Sequence, residues 1–382
     1  MFGTSKKKLI TDEAEIGQAL VRRLEVGGIF PNKEGAIKLL KSKPLRVYLG
    51  IDPTGPDIHL GHTIPLLFLK QLWDLGHAPV IVIGDFTARI GDPTGKDSTR
   101  KALSIEEIKE NSKNYLEQIY KILPKGSFEV RHNGDWLDNL SFKDVVQLAS
   151  HVTVQQMIQR DMFQERIKNQ QAVGLHEFLY PLMQGYDSVA MEIDGEVGGN
   201  DQVFNMLVGR DLEKKLLKKD KLVFAIKLLV SSVGGKKMSK SEGEIVAISD
   251  SPQEIRRKVL AMDDSMTEST FILCTEKSDD WIEQNKNKSP REFKEELADE
   301  LVRMYHGKDA VAEARKDKEV SAAGQSIVSA ITSVTGGSNS EAKKLLEQGA
   351  VEVNGEALKD WHYEVKSGDK IRIGKGKFIE IK

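Results

Sequence analysis

Between residues 46 and 87 the hydrophobic period changes twice, and this constrains the fold more than any other feature of the chain. In RVYLGI (46–51), Val47, Leu49 and Ile51 alternate with their neighbours as strand residues do. A turn of Pro53, Thr54, Gly55, Pro56 and Asp57 ends that strand. TIPLLFLKQLWDLG then carries apolar side chains at helical spacing as far as Gly76, a helix C-cap. PVIVIGDFT (79–87) follows, an apolar, β-branched run of the kind expected from a strand buried on both faces. Helical spacing over 105–123 and a strand at SFEVRHN (127–133) extend the alternation. Strands alternating with helices predict parallel βαβ units in an open, Rossmann-like, doubly wound sheet. Such a sheet binds ligands beyond the carboxyl ends of its strands, where the turn after Ile51 and the segment GDFTARIGDP both fall.

That turn leads into His59, Gly61 and His62, placed where a strand gives way to a helix N-terminus. Backbone N–H groups and the helix dipole favour an anion there, and glycine lets a ligand approach the backbone. Imidazoles add donors to a phosphate, and a general-base role is equally open. A histidine pair alone is more often structural than chemical. A second segment changes the balance: Gly234-Gly235-Lys236 runs into Lys237-Met238-Ser239-Lys240-Ser241, a basic, small-residue loop suited to closing over polyphosphate.

The remainder of the chain suggests three parts: helices and the sheet domain over 1–249, a helical domain over 250–320, and a small α+β unit over 321–382. Residues 1–45 read as helices, with Leu20, Val21 and Leu24 at packing positions. Residues 140–170 are amphipathic, and Met157, Met162 and Phe163 are apolar contacts in the core or between subunits. In the last unit a helix over 341–348 stops at Gly349, and VEV-NG-EAL is a hairpin signal with Asn354-Gly355 in the turn. This unit resembles the αL-type RNA-binding domain of a ribosomal small-subunit protein. The resemblance implies RNA phosphate contacts by Lys343, Lys344, Arg372, Lys375 and Lys377. Net charge is −2, from 56 Lys and Arg against 58 Asp and Glu, so any nucleic-acid footprint is local. Cys274 is the only cysteine, which excludes an intramolecular disulfide and a multi-cysteine zinc site and fits a reducing cytoplasm. No apolar stretch approaches a membrane span.

HLGH near the front and KMSKS far downstream together resemble the paired signatures of class I aminoacyl-tRNA synthetases. From about residue 45 onward the chain resembles the bacterial tyrosyl-tRNA synthetases. The resemblance implies that tyrosine attacks the α-phosphorus of ATP through its carboxylate, and that the resulting adenylate passes tyrosine to the terminal ribose of tRNA(Tyr). It implies phosphate charge stabilisation by Thr54, His59, His62, Lys237 and Lys240, with Lys96 and Arg100 from a loop. Tyr48 and Asp187 are implied at the phenol, Asp92, Tyr180 and Gln184 at the α-ammonium group, and Thr87 and Gln202 as further tyrosine-site residues. Tyr180, Gln184 and Asp187 recur at i, i+4 and i+7, which a helix places on one face. Gly50, Asp52, Gly61 and Asp201 are implied around the adenosine ribose, and Leu229 and Val230 at adenine, with Lys240 also on ATP. Magnesium accompanies ATP with no structural metal, and the resemblance further implies a homodimer spanned by tRNA. The rivals are a tryptophanyl enzyme, opposed by Tyr48 with Asp187 and by the RNA-binding tail, and a non-catalytic RNA-binding descendant, opposed by the intact signature residues.

Overall fold

The computed structural model describes residues 7–92, 103–230, 245–315, 318–320, 324–335, 337–374 and 377–381. The chain forms two compact units, one of residues Met1–Leu229 with Ile272–Cys274, the other of Val230–Phe271 with Thr275–Lys382.

The first unit is built on a six-stranded sheet. Its strands are β1 (Leu24–Phe30), β2 (Arg46–Ile51), β3 (Ala78–Ile83), β4 (Glu129–His132), β5 (Gly195–Gly199) and β6 (Leu222–Ile226). Their spatial order is β1-β6-β5-β2-β3-β4, parallel throughout except where β1 pairs antiparallel with β6. The expected parallel, doubly wound architecture is therefore present. Residues 1–45, read as helices, require a correction. Helices α1 (Glu13–Ala19) and α2 (Lys33–Ser42) flank the strand β1, whose LEVGGIF sequence has no helical period. The 79–87 strand ends at Ile83, and Thr87 opens the short helix α4 (Thr87–Ile90).

Helix α3 (Leu60–Asp74) joins β2 to β3, and α5 (Ile105–Ile119) precedes β4. Four short helices follow, α6 (Gly134–Leu137), α7 (Phe142–Ala149), α8 (Val154–Ile158) and α9 (Asp161–Lys168). Then α10 (Tyr180–Met191) leads into β5, and α11 (Val203–Leu217) into β6. From β2 the sheet grows outward through β3 and β4 on one side and through β5 and β6 on the other. The strand order thus reverses beside β2, and the carboxyl ends of β2 and β5 open a crevice for ligands.

The second unit begins with helices α12 (Pro252–Ala261), α13 (Thr267–Cys274, its last three residues counted with the first unit), α14 (Asp279–Asn285), α15 (Pro290–His306) and α16 (Asp309–Ala314). Ser251, Ser278 and Ser289 cap α12, α14 and α15 through side-chain bonds to backbone N–H groups of the first turn. Its second part pairs β7 (Lys318–Val320), β8 (Val351–Val353), β9 (Glu356–Ala357), β10 (Lys370–Ile373) and β11 (Lys377–Ile381) in the order β7-β11-β10-β8-β9. Helices α17 (Ile327–Thr335) and α18 (Asn339–Glu347) belong to the same part, and Ile327, Ile331 and Leu346 share a core with Ile371, Ile379 and Ile381. Asn354 and Gly355 turn β8 into β9 with φ of 54° and 90°, the left-handed pair a two-residue hairpin requires. Because β7 pairs with β11, residues 318–320 lie with this sheet and not with the helices before it. Among the described residues no helix is long and apolar enough to cross a membrane.

Candidate active site

Gly50 is exposed at the end of β2, and Asp52 follows it into the crevice. The Thr87 hydroxyl donates to Asp52 Oδ1 at 2.7 Å, and the Tyr180 hydroxyl donates to Oδ2 at 2.8 Å. Three elements distant in sequence are thus joined on one carboxylate. Desolvation pushes the Asp52 carboxyl up to about 6, against the two hydrogen bonds and with the charges of Asp92 and Asp85 adding to the rise. Gly84 makes the approach possible, since a Cβ there would lie 1.9 Å from Asp52 Oδ1 and 2.4 Å from Thr87 Oγ1. Asp52, implied at the ribose, therefore bridges two residues implied at tyrosine.

Tyr180, Gln184 and Asp187 do lie on one helix, α10. Asp187 is 3% exposed, and Trp136 Nε1 donates to its Oδ1 at 2.8 Å while Asn133 Nδ2 donates to its Oδ2 at 3.4 Å. Burial pushes its carboxyl well above the usual carboxylate range, opposed by those two donors. Tyr48, fully buried on β2, has its hydroxyl 3.3 Å from Ser188 Oγ and 3.4 Å from the Gln184 carbonyl oxygen. Gln184 Nε2 donates to Glu196 Oε1 at 2.9 Å, and Gln202 Nε2 donates to Asp92 Oδ2 at 2.6 Å.

At the neighbouring helix end, His59 is the N-cap of α3. Its Nδ1 accepts from Gly61 N–H at 3.1 Å, His62 Nδ1 accepts from His59 N–H at 3.4 Å, and the two rings stack at 3.9 Å. A Cβ on Gly61 would lie 3.0 Å from the His59 ring, so the glycine makes room for the imidazole as well as for a ligand. Thr54 is exposed, its N–H donating to the Asp52 carbonyl at 2.8 Å. Asp201 and Gln202 occupy the turn after β5, while Leu229 is buried and Val230 exposed. Lys96, Arg100, Lys237, Lys240 and Lys375 lie outside the described residues.

Several residues of this site escaped the sequence reading. Asn133 ties β4 to the site: its Nδ2 donates to Thr87 Oγ1 at 3.0 Å, its Oδ1 accepts from Phe86 N–H at 2.9 Å, and it also reaches Asp187. Trp136, Ser188, Glu196 and Lys221 complete the cluster. Their partners are remote in sequence, so no local pattern marks them. Arg160, 7% exposed, sits 4.9 Å from the Phe204 ring centroid and 5.5 Å from that of Phe163, with no hydrogen-bond partner on Nη1 or Nη2.

In the second unit Lys343 Nζ lies 3.8 Å over the Trp361 ring, and Arg372 is paired with Glu352. Lys344 is on α18, and Lys377 starts β11. Arg291, Glu352, Lys370, Arg372 and Phe378 line a cavity of about 190 Å³ beside β10.

Residues 40–322 match the family of "tRNA synthetases class I (W and Y)", and residues 336–371 match the S4 domain. Tyrosine–tRNA ligase of Carboxydothermus hydrogenoformans is 41% identical over 95% of this chain and 98% of its own length. That of Thermotoga maritima is 38% identical over 95% of this chain and 97% of its own.

The chain belongs to the class I tyrosine–tRNA ligase family.

Among solved structures, a tyrosyl-tRNA synthetase of Archaeoglobus fulgidus complexed with L-tyrosine shares the fold of this family member. Its TM-score is 0.61 at 19% identity, over 79% of this chain and 99% of that one. A C-terminally truncated mitochondrial tyrosyl-tRNA synthetase of Aspergillus nidulans gives 0.64 at 22% identity, over 81% and 93%.

Proposed function

We propose that this chain is a tyrosine–tRNA ligase, which activates L-tyrosine with ATP to tyrosyl-adenylate and pyrophosphate and then charges tRNA(Tyr). The observation that carries the reading is the buried polar cluster at the ends of β2 and β5, in a chain whose relatives at about 40% identity bear that name. Tyr48 packs against Val80, Val82 and Ile193, and the buried Asp187 carboxyl is held by Trp136 and Asn133. We assign both to the phenol of the substrate. A substrate without the hydroxyl forgoes the bonds that these two buried groups would make to it, which costs free energy. Asp92, Tyr180 and Gln184 are assigned to the α-ammonium group, with Thr87 and Gln202 behind them.

The nucleophile is a carboxylate that is already ionised, so activation requires no protein nucleophile and no general base. Positioning and phosphate charge stabilisation do the catalysis. His59 and His62 at the start of α3 are assigned to that role, with Thr54, Lys96, Arg100, Lys237 and Lys240. Gly50, Asp52, Gly61 and Asp201 are assigned to the ribose, and Leu229 and Val230 to adenine. Magnesium arrives with ATP as its counter-ion. Lys343, Lys344, Arg372, Lys375 and Lys377 of the S4 part are assigned to tRNA phosphates. A homodimer is supported by Phe142 and Leu175, which are 84% and 78% exposed on the stretch between β4 and α10. A cytoplasmic location fits both tRNA charging and a chain with a single cysteine.

The test is ATP–pyrophosphate exchange with tyrosine, tryptophan and phenylalanine in parallel. Exchange driven by tyrosine is the expected result, and tryptophan as the better substrate would overturn the reading. Asp187→Ala lowers kcat/KM for tyrosine sharply and for phenylalanine much less. Equal losses for both would remove Asp187 from the phenol.

A further inference from the structure

Behind the tyrosine-site residues lies an ion pair that the chemistry of activation does not call for. Lys221 precedes β6 and is 1% exposed, and Glu196 on β5 is 2% exposed. Lys221 Nζ is bonded both to a carboxylate oxygen of Glu196 and to Ser188 Oγ. Each of these partners touches a residue assigned to the substrate. The other Glu196 oxygen accepts from Gln184 Nε2 at 2.9 Å, and Ser188 Oγ lies 3.3 Å from the Tyr48 hydroxyl. The Lys221 ammonium is also 5.6 Å from the centre of the Tyr48 ring.

The backbone leaves room for this ammonium group. Helices α10 and α11 meet at Gly185 and Gly209, and a Cβ on Gly209 would lie 2.7 Å from Lys221 Nζ and 3.0 Å from Ser188 Oγ. A buried ion pair is weak evidence of a stability role, because apolar replacements of the same shape are often as stable. What this pair does supply is direction. An ionised carboxylate only accepts hydrogen bonds, whereas an amide side chain can present either end. Facing a carboxylate, Gln184 must turn its NH2 toward Glu196, which leaves Oε1 as the end that meets an ammonium group.

Resting on the tyrosine-activating reading above, we propose that Lys221 is a positioning residue for amino-acid recognition. It fixes the Glu196 side chain through their ion pair, so that the Gln184 amide keeps its NH2 on Glu196 and its oxygen toward the substrate ammonium group, and through Ser188 it orients the Tyr48 hydroxyl.

The experiment is tyrosine-dependent pyrophosphate exchange on the full chain, for Lys221→Met, Glu196→Gln and the double variant, with thermal midpoints on the same preparations. Loss of one charge-assisted hydrogen bond at the site raises KM for tyrosine about tenfold in each single variant. KM for ATP stays at the wild-type value, and kcat changes less than KM for tyrosine. The double variant is no worse than Lys221→Met, because both changes act through one amide. Strictly additive effects, or lowered midpoints with KM for tyrosine unmoved in both singles, overturn the inference. Where Lys221→Met does not fold, Gly209→Ala displaces the ammonium while keeping its charge, and a raised KM for tyrosine is again expected. A wild-type chain that fails to exchange with tyrosine sinks the functional reading itself. A wild-type chain that exchanges normally beside indifferent variants sinks only the role of Lys221.

Discussion

The two sheets bury their residues in different ways, and the difference says where each presents its chemistry. In the first unit every residue of β6 is buried, as are the last five of β3. Covered on both faces, these central strands offer ligands only their ends, where Asp52 follows β2 and meets Tyr180 of α10. In the second unit β8 and β10 alternate buried with part-exposed or exposed residues. One face packs on Ile327 and Leu346, and the other carries Glu352, Lys370 and Arg372. A half-covered sheet can meet a large partner over a surface, whereas a fully covered one selects a small molecule at its edge.

The sharpest way to break this contrast is to crowd the strand end. Gly84→Ala puts a methyl group into the bond between Asp52 and Thr87. It should cost about 1–3 kcal/mol of stability and lower kcat/KM for tyrosine by about two orders of magnitude, read by denaturant titration beside pyrophosphate exchange. Unchanged exchange would show that the cluster around Asp52 does not set the geometry of activation.

In the second unit the expected effect is smaller and confined to RNA. Changing Lys343, Lys344, Lys375 and Lys377 together to Gln, with Arg372 left in its pair with Glu352, should raise KM for tRNA about tenfold and flatten its salt dependence. Pyrophosphate exchange on the same preparation should be unaffected. If exchange falls too, the surface and the edge are not separate devices.

A gentler probe is Glu213, fully buried on α11 with no hydrogen-bond partner on either carboxylate oxygen. Burial pushes its carboxyl from 4.5 to about 7, with Lys221 and Lys219 opposing the rise. A raised carboxyl pKa means that the folded state holds its proton longer than the unfolded chain. Wild-type stability from this group is therefore present below about 4.5 and is lost as pH rises to about 7. Glu213→Gln should abolish that loss, so its stability relative to wild type should rise by about 3 kcal/mol between pH 4.5 and 8. A gap that does not change with pH would mean that Glu213 is ionised in both states.

The parts of the fold with a local signal were legible in the chain. β2, β3, β4 and α3 announce themselves by period, and the Asn354-Gly355 turn by the backbone angles it needs. β5 did not, because GEVGG has three glycines in five residues and almost no apolar alternation. β1 was absorbed into a helical reading for a similar reason. At the site, Tyr180, Gln184 and Asp187 were readable because a helix repeats them at fixed spacing. Asn133, Trp136 and Lys221 were not, since each acts on a partner that only the folded chain brings near. His59 and His62 were readable as a pair, but their mutual capping of α3 appears only in three dimensions.

The strand missed at the outset also governs how the molecule behaves in a crowd of its own kind. A parallel sheet ending at β6 would offer a straight row of unpaired amides to any passing chain. β1 covers that row and is itself a poor template: its register slips between Leu24 and Ile29, Gly27 takes a φ of 75°, and Val26 stands 99% exposed on the bulged segment. The bulge is held in by packing, since a Cβ on Gly28 would lie 3.0 Å from Ala225 Cβ and from the Glu25 carbonyl oxygen. The consequence is colloidal: an edge of this shape resists strand addition, and with it fibrous self-association at high concentration.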